Sequence, residues 1–209
     1  MKRTKWIVII SIALTVLVTG SALYANNMPS IDEMFIAIDN QVESAPDIVI
    51  AEGPDFEVYS KDFALFKANL EFSEKMNSVE MDRTDKDIID EIIKEALVVN
   101  LARKEGLSVS GEEIEEYITQ LRGLVDDTEQ DPVMKQIRDN LVKMSGLPED
   151  EYWKSEEITK KYEKVLLIQK FVRKLAEEGK IETVDDFLNF KEKLIHNVKA
   201  DIIYNSEIE

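Results

Sequence analysis

Between residues 84 and 117 the chain reads TDKDIIDEIIKEALVVNLARKEGLSVSGEEIEEY, two amphipathic runs separated by a glycine stop, and no other stretch limits the fold as strongly. Thr84 and Asp87 stand three apart ahead of the first run. The Thr84 hydroxyl can therefore accept from an early backbone N–H while Asp87 sits in the positive first turn. Ile88, Ile89, Ile92, Ile93, Ala96, Leu97, Val99 and Leu101 then form an apolar stripe broad enough to be covered on more than one side. Asp90, Glu91, Lys94 and Glu95 are expected to face water. Arg103 and Lys104 complement the negative helix end, and Gly106 suits the left-handed stop with Leu107 folding back. Ser110 with Glu113 makes a capping-box pattern that opens a second helix through Ile114, Tyr117, Ile118, Leu121 and Leu124. The pattern predicts a central core helix followed by an amphipathic one.

The remainder agrees with a mainly α fold. Only seven Gly and five Pro among 209 residues argue for long helices rather than repeated turns. Residues 47–51 and 56–59 read as two short β segments around Glu52-Gly53-Pro54-Asp55, and Ser60 reads as the cap of a helix. On that helix Phe63, Phe66 and Leu70 mark the expected core stripe, with Phe72 off it. Asp131-Pro132 predicts the start of a helix running to Met144 and ending at Ser145-Gly146. One long helix is expected over about 149–178, stopped by Gly179, then a short amphipathic helix with Phe187, Leu188, Leu194 and Ile195. Residues 200–204 are β-rich enough to add a strand to the early hairpin, joining the two ends of the domain.

The N-terminus carries Lys2, Arg3 and Lys5 ahead of WIVIISIALTVLVTGSALYA. This fits a signal peptide cleaved after Ala22 or an uncleaved anchor, and the apolar length favours the anchor. Either way the basic end stays in the cytoplasm and the body crosses the membrane. The expected organisation is a signal anchor or signal peptide over 1–25, a linker with one short helical turn over 26–46, a helical domain over 47–205 and a tail over 206–209. The expected location is a cell membrane, single-pass, with the body extracytoplasmic, or secretion if cleaved.

Formal charge is −17, and because three cations precede the apolar run, the rest of the chain carries −20. Such a surface repels phosphate, which excludes nucleic acid as a natural partner and favours basic polypeptides. The absence of cysteine removes disulfides, thiol catalysis and zinc–cysteine sites. The acidic run at 126–131 lacks the glycine and ligand alternation of a calcium loop. His196 is the sole histidine, and with no nucleophile-elbow, phosphate-loop or HExxH pattern we expect no enzyme and no cofactor or metal.

The helix ending in Arg103-Lys104-Glu105-Gly106-Leu107-Ser108-Val109-Ser110 resembles the helical core of SurA/PrsA-type extracytoplasmic chaperones. Ser60-Lys61-Asp62-Phe63 is similar to that family's helix start after a short hairpin, although Glu52-Gly53-Pro54 replaces its Asn-Gly turn. Leu147 to Trp153 and Lys199-Ala200-Asp201-Ile202-Ile203 resemble its later steps, so the likeness covers about residues 47–205. The resemblance implies a SurA N-terminal-like domain that binds unfolded or newly exported polypeptide without ATP. The span between Lys174 and Thr183 leaves no room for the parvulin prolyl isomerase domain of many relatives, so no isomerase activity is expected. A membrane-anchored subunit gripping one envelope protein is the alternative. Candidate client contacts are Met76, Met81, Met134 and Met144, flexible side chains near helix ends, with Tyr152 and Trp153 at a helix start.

Overall fold

The computed structural model describes residues 29–79, 82–127 and 132–205. In chain order the elements are α1 (Ile31–Ser44), β1 (Val49–Gly53), β2 (Phe56–Tyr59), α2 (Ser60–Asn77), α3 (Asp85–Lys104) and α4 (Gly111–Asp127). They continue with α5 (Pro132–Ser145), α6 (Glu149–Tyr152), α7 (Glu156–Glu177), α8 (Val184–Val198), a 3₁₀ turn (Lys199–Asp201) and β3 (Ile203–Tyr204). The protein is mainly helical, with one small antiparallel sheet in the order β2-β1-β3.

Helix α3 is central because its two halves bury against different layers. Ile89 and Ile93 pack with Ile50, Ala51, Phe56 and Val58 of the hairpin and Ile195 of α8. Val98, Val99 and Ala102 pack with Leu167, Phe171, Val172 and Leu175 of α7. Its ends form as the sequence predicts. Thr84 Oγ1 accepts from the Asp87 N–H at 3.2 Å while Asp87 Oδ2 accepts from the Thr84 N–H at 2.8 Å. Gly106 takes φ 79°, its N–H donating to the Arg103 carbonyl and that of Leu107 to Ala102, the two bonds of a Schellman stop. Glu91 and Lys94, expected in water, instead turn toward α8. Lys191 pairs with Glu91, and Lys94 with both Glu192 and Glu91. Helical periodicity marks which side chains share a face, and only the arrival of α8 shows that this polar face is covered.

The sheet ties the ends of the domain together. The hairpin turns through Pro54-Asp55 with Gly53 opposite Phe56, and a Cβ on Gly53 would lie 2.5 Å from the Phe56 ring. A bulge between Val49 and Ala51 accompanies the burial of both Ile50 and Ala51, which strict alternation would not allow. β3 pairs Tyr204 with Ala51 and Ile203 with Glu52. The Tyr204 hydroxyl donates to Asp90 Oδ1 at 2.6 Å, locking the last strand onto α3.

Several expectations are corrected. The linker reading of 26–46 fails over 31–44, which form a helix with a full capping box between Ser30 and Glu33 and with Ile31, Met34, Phe35 and Ile38 buried. Ser60 is the first residue of α2 rather than its cap, and its hydroxyl bonds the Pro46 carbonyl. The buried line of α2 is Ser60, Ala64, Ala68 and Phe72, a strict four-residue spacing, so Phe72 faces inward. The long helix expected over 149–178 is broken into α6 and α7, because Ser155 caps a new start by accepting from the Ile158 N–H.

The expected single-pass membrane location is also corrected: among the described residues no helix is long and apolar enough to cross a membrane. The longest, α7, has 22 residues, but Glu163, Lys164, Lys170 and Arg173 are among the charges it carries. The expected anchor and the tail at 206–209 lie outside the described residues.

Candidate functional site

Three of the six predicted client-contact residues converge. Met76 near the end of α2, and Met134 and Met144 on α5, surround one apolar cluster made by Phe72, Ala68 and Ile137 together with Ile31, Met34, Phe35 and Ile38 of α1. α1 lies between α2 and α5 and packs on both. The small side chain of Ala68 lets α1 approach. Beyond it the Phe35 and Phe72 rings meet edge to face at 5.3 Å. The seam between α1 and α2 retains a cavity of only about 20 Å³, room for about one water. Methionine around α1 suits such a seam because an unbranched, polarizable side chain refills irregular space at small cost.

One polar contact sets the register of α1. Asn140, on α5, is buried, and its amide donates to Asp32 Oδ1 at 2.7 Å and to the Gln136 carbonyl at 2.9 Å. Gln136 Nε2 adds a second donor to Asp32 at 3.1 Å. The Asn140 and Gln136 amides hold the Asp32 carboxyl below the usual range, with a smaller contribution from the Lys143 charge.

Tyr152 and Trp153 belong elsewhere. Both are 7 % exposed, in a cluster with Ile114, Ile118 and Ile158 that closes α4 against α7. Their rings meet edge to face at 5.1 Å, and Arg122 lies 5.8 Å over the Trp153 ring. Burial pushes the Tyr152 hydroxyl up, and it pushes that of neighbouring Tyr162 up to about 12. Enclosed side chains of this kind stabilise a core and do not line an open cleft. Met81 lies outside the described residues.

A polar basin of about 640 Å³ lies beside α3, α8 and β3, lined by Lys86, Asp90, Lys193, His196, Lys199 and Tyr204 among others. Acidic and basic groups line it together, and Lys86 is engaged by Asp90 at 2.9 Å and by the Tyr204 ring. His196 is exposed, and its ring makes no hydrogen bond among the described residues. Among the described residues no group of acidic or histidine side chains could hold a metal ion.

The sequence reading named Met76, Met134 and Met144 but did not place Phe35, Ile38, Phe72, Ile137, Asp32 and Asn140 beside them. A signal was present for α1: Ser30-x-x-Glu33 is a capping box, and Ile31, Met34, Phe35 and Ile38 have the i, i+3, i+4, i+7 spacing of one helix face.

Comparison of the chain with protein-family models, with curated proteins and with solved structures gives no match in any of the three. The class defined by the fold is therefore a mainly helical domain closed by a three-stranded sheet, and the SurA/PrsA likeness stands as a resemblance of motifs.

Proposed function

We propose that the protein is a polypeptide-binding chaperone module that holds unfolded chains reversibly, without ATP and without prolyl isomerase activity. The observation that carries this reading is the methionine-bordered seam around α1, where Met76, Met134 and Met144 are only partly buried beside the apolar face of that helix. Exposed apolar side chains elsewhere add weak contact surface, among them Ile36, which is 56 % exposed, Val79 and Leu188. A formal charge of −17 would keep loaded complexes apart by mutual repulsion. The motif resemblance of residues 47–205 points the same way.

The test is the rate at which unrelated unfolded proteins aggregate in the presence of the full chain. Suppression at near-stoichiometric amounts, without nucleotide, is expected. Absence of suppression, together with one stoichiometric partner in a pull-down, would replace this reading with that of a dedicated interaction subunit.

A further inference from the structure

We propose that the polar basin beside α3, α8 and β3 binds an acidic segment of a partner polypeptide, with the Lys193 and Lys199 ammonium groups receiving two of its carboxylates. The proposal rests on the polypeptide-binding reading above and names a site and a class of segment for it.

The basin is a local exception on an acidic chain. Four lysines, Lys86, Lys180, Lys193 and Lys199, line it with three acids, whereas the whole chain has a net charge of −17. All three acids are already engaged. Asp90 accepts from the Tyr204 hydroxyl at 2.6 Å and from Lys86 at 2.9 Å. Asp186 caps the start of α8, where the Glu182 and Thr183 N–H groups donate to it at 2.9 and 2.8 Å. These bonds hold its carboxyl below the usual range, with Lys193 a minor contributor. Glu192 pairs with Lys94 of α3. Two of the lysines are engaged as well, Lys86 by Asp90 and Lys180 by Glu178. Lys193 and Lys199 are exposed and make no hydrogen bond or ion pair among the described residues, so the charge left over in the basin is positive.

Shape selects a chain segment over a compact ion. The lining extends from Asp186 in the first turn of α8 to Lys199 at its C-terminal cap, a helix rise of roughly 20 Å. Inorganic phosphate or a small polycarboxylate reaches a fraction of that length. Lys193 and Lys199 are separated by roughly 9 Å of rise, about the span of three residues of extended chain, which matches acids two or three positions apart. Phe190 and Ile195 give the basin an apolar part, and the side-chain amides of Asn189 and Asn197, unbonded among the described residues, add polar contacts. The acidic body repels such a segment from afar, but at physiological ionic strength that field decays over about 8 Å, while the two lysines meet carboxylates in direct contact.

Titration of the full chain with the peptide Gly-Glu-Phe-Glu-Gly, its ends blocked and carrying a neutral fluorophore, tests the site. The glutamine counterpart Gly-Gln-Phe-Gln-Gly, citrate and inorganic phosphate are the comparison probes. The glutamate peptide is expected to bind most tightly and to shift the amide NMR signals of Asn189, Lys193, Asn197 and Tyr204 in the unmodified chain. Lys193→Gln combined with Lys199→Gln should weaken it about fivefold, the loss of two partly exposed ion pairs. Lys61→Gln combined with Lys154→Gln removes the same charge at exposed positions outside the basin and should weaken it less than about twofold. Equal binding of the glutamine peptide, equal loss in the two double variants, citrate or phosphate as tight as the peptide, or shifts confined to elements away from the basin would each overturn the proposal. Aggregation assays on the same samples separate it from the reading it rests on. Suppression without peptide binding removes the basin and leaves the chaperone module; peptide binding without suppression does the reverse.

Discussion

Replacing Lys191 with methionine tests how α8 is held to the central helix. Lys191 is 8 % exposed, and its ammonium pairs with Glu91 across the α3/α8 interface. Burial by itself would raise the Glu91 carboxyl; the hydrogen bond and charge of Lys191, with Lys94 behind it, bring it below the usual range instead. Removing one member of a buried pair costs about 3–5 kcal/mol, chiefly because the other is left charged and dry. Two features reduce that figure. Lys94 Nζ remains 3.5 Å from Glu91, and the Glu91 side chain keeps 25 % of its exposure. We therefore expect Lys191→Met to lose about 2–3 kcal/mol near pH 7 in urea unfolding.

The pH dependence follows from the lowered carboxyl. Because the folded value of Glu91 lies below its unfolded value of about 4.3, the contribution of the pair is full above that value and disappears as the pH falls through the folded one. The penalty of Lys191→Met should shrink in the same window, since a protonated Glu91 needs no counter-ion. The double variant Glu91→Leu, Lys191→Met should return to within about 1 kcal/mol of wild type, as apolar replacements of buried pairs do. A single-variant loss under about 1 kcal/mol near pH 7 would refute the reasoning, because it would mean the pair is effectively solvated. A penalty unchanged at acid pH would refute it as well.

Glu95 gives the opposite pH signature: burial raises its carboxyl, with Glu91 reinforcing and Lys191 and Lys164 opposing. Its charged form therefore costs stability above the folded pKa, so Glu95→Gln should raise the melting temperature at neutral pH, with the gain fading as the carboxyl protonates in both states. Ser78 closes α2 with φ 52°, a left-handed position where a side chain is strained, and Ser78→Gly should stabilise by about 1 kcal/mol in denaturant titrations. Tyr204→Phe deletes the donor to Asp90 and should cost about 1–2 kcal/mol, with the greatest loss of exchange protection in β1 amides facing β3.

Features that depend on neighbours in the chain were legible in the residues alone. The Thr84–Asp87 and Ser110–Glu113 boxes and the glycine stops at 106, 146 and 179 are closed by bonds that span only a few residues, so residue type and spacing suffice. The same holds for the central position of α3, whose stripe is too wide for one neighbour. The strand after α8 was readable from its β-rich composition, although only Ile203 and Tyr204 of residues 200–204 pair with β1, Lys199–Asp201 forming a 3₁₀ turn.

Docking between distant segments was decided by the tertiary structure. Residues 31–44 carry a cap and an apolar face, yet nothing local says that Phe35 will meet Phe72 or that Asp32 will find Asn140, more than a hundred residues away. A separation of 100 residues lies between Glu91 and Lys191, whose pairing makes a polar helix face part of the interior. Tyr152 and Trp153 show the converse, since aromatic residues at a helix start carry no mark of burial until α4 closes over them. Capping energies are fixed by bonds a few residues apart. The seam around α1 and the core are fixed by which helices share a volume, and that depends on the packing of the whole chain.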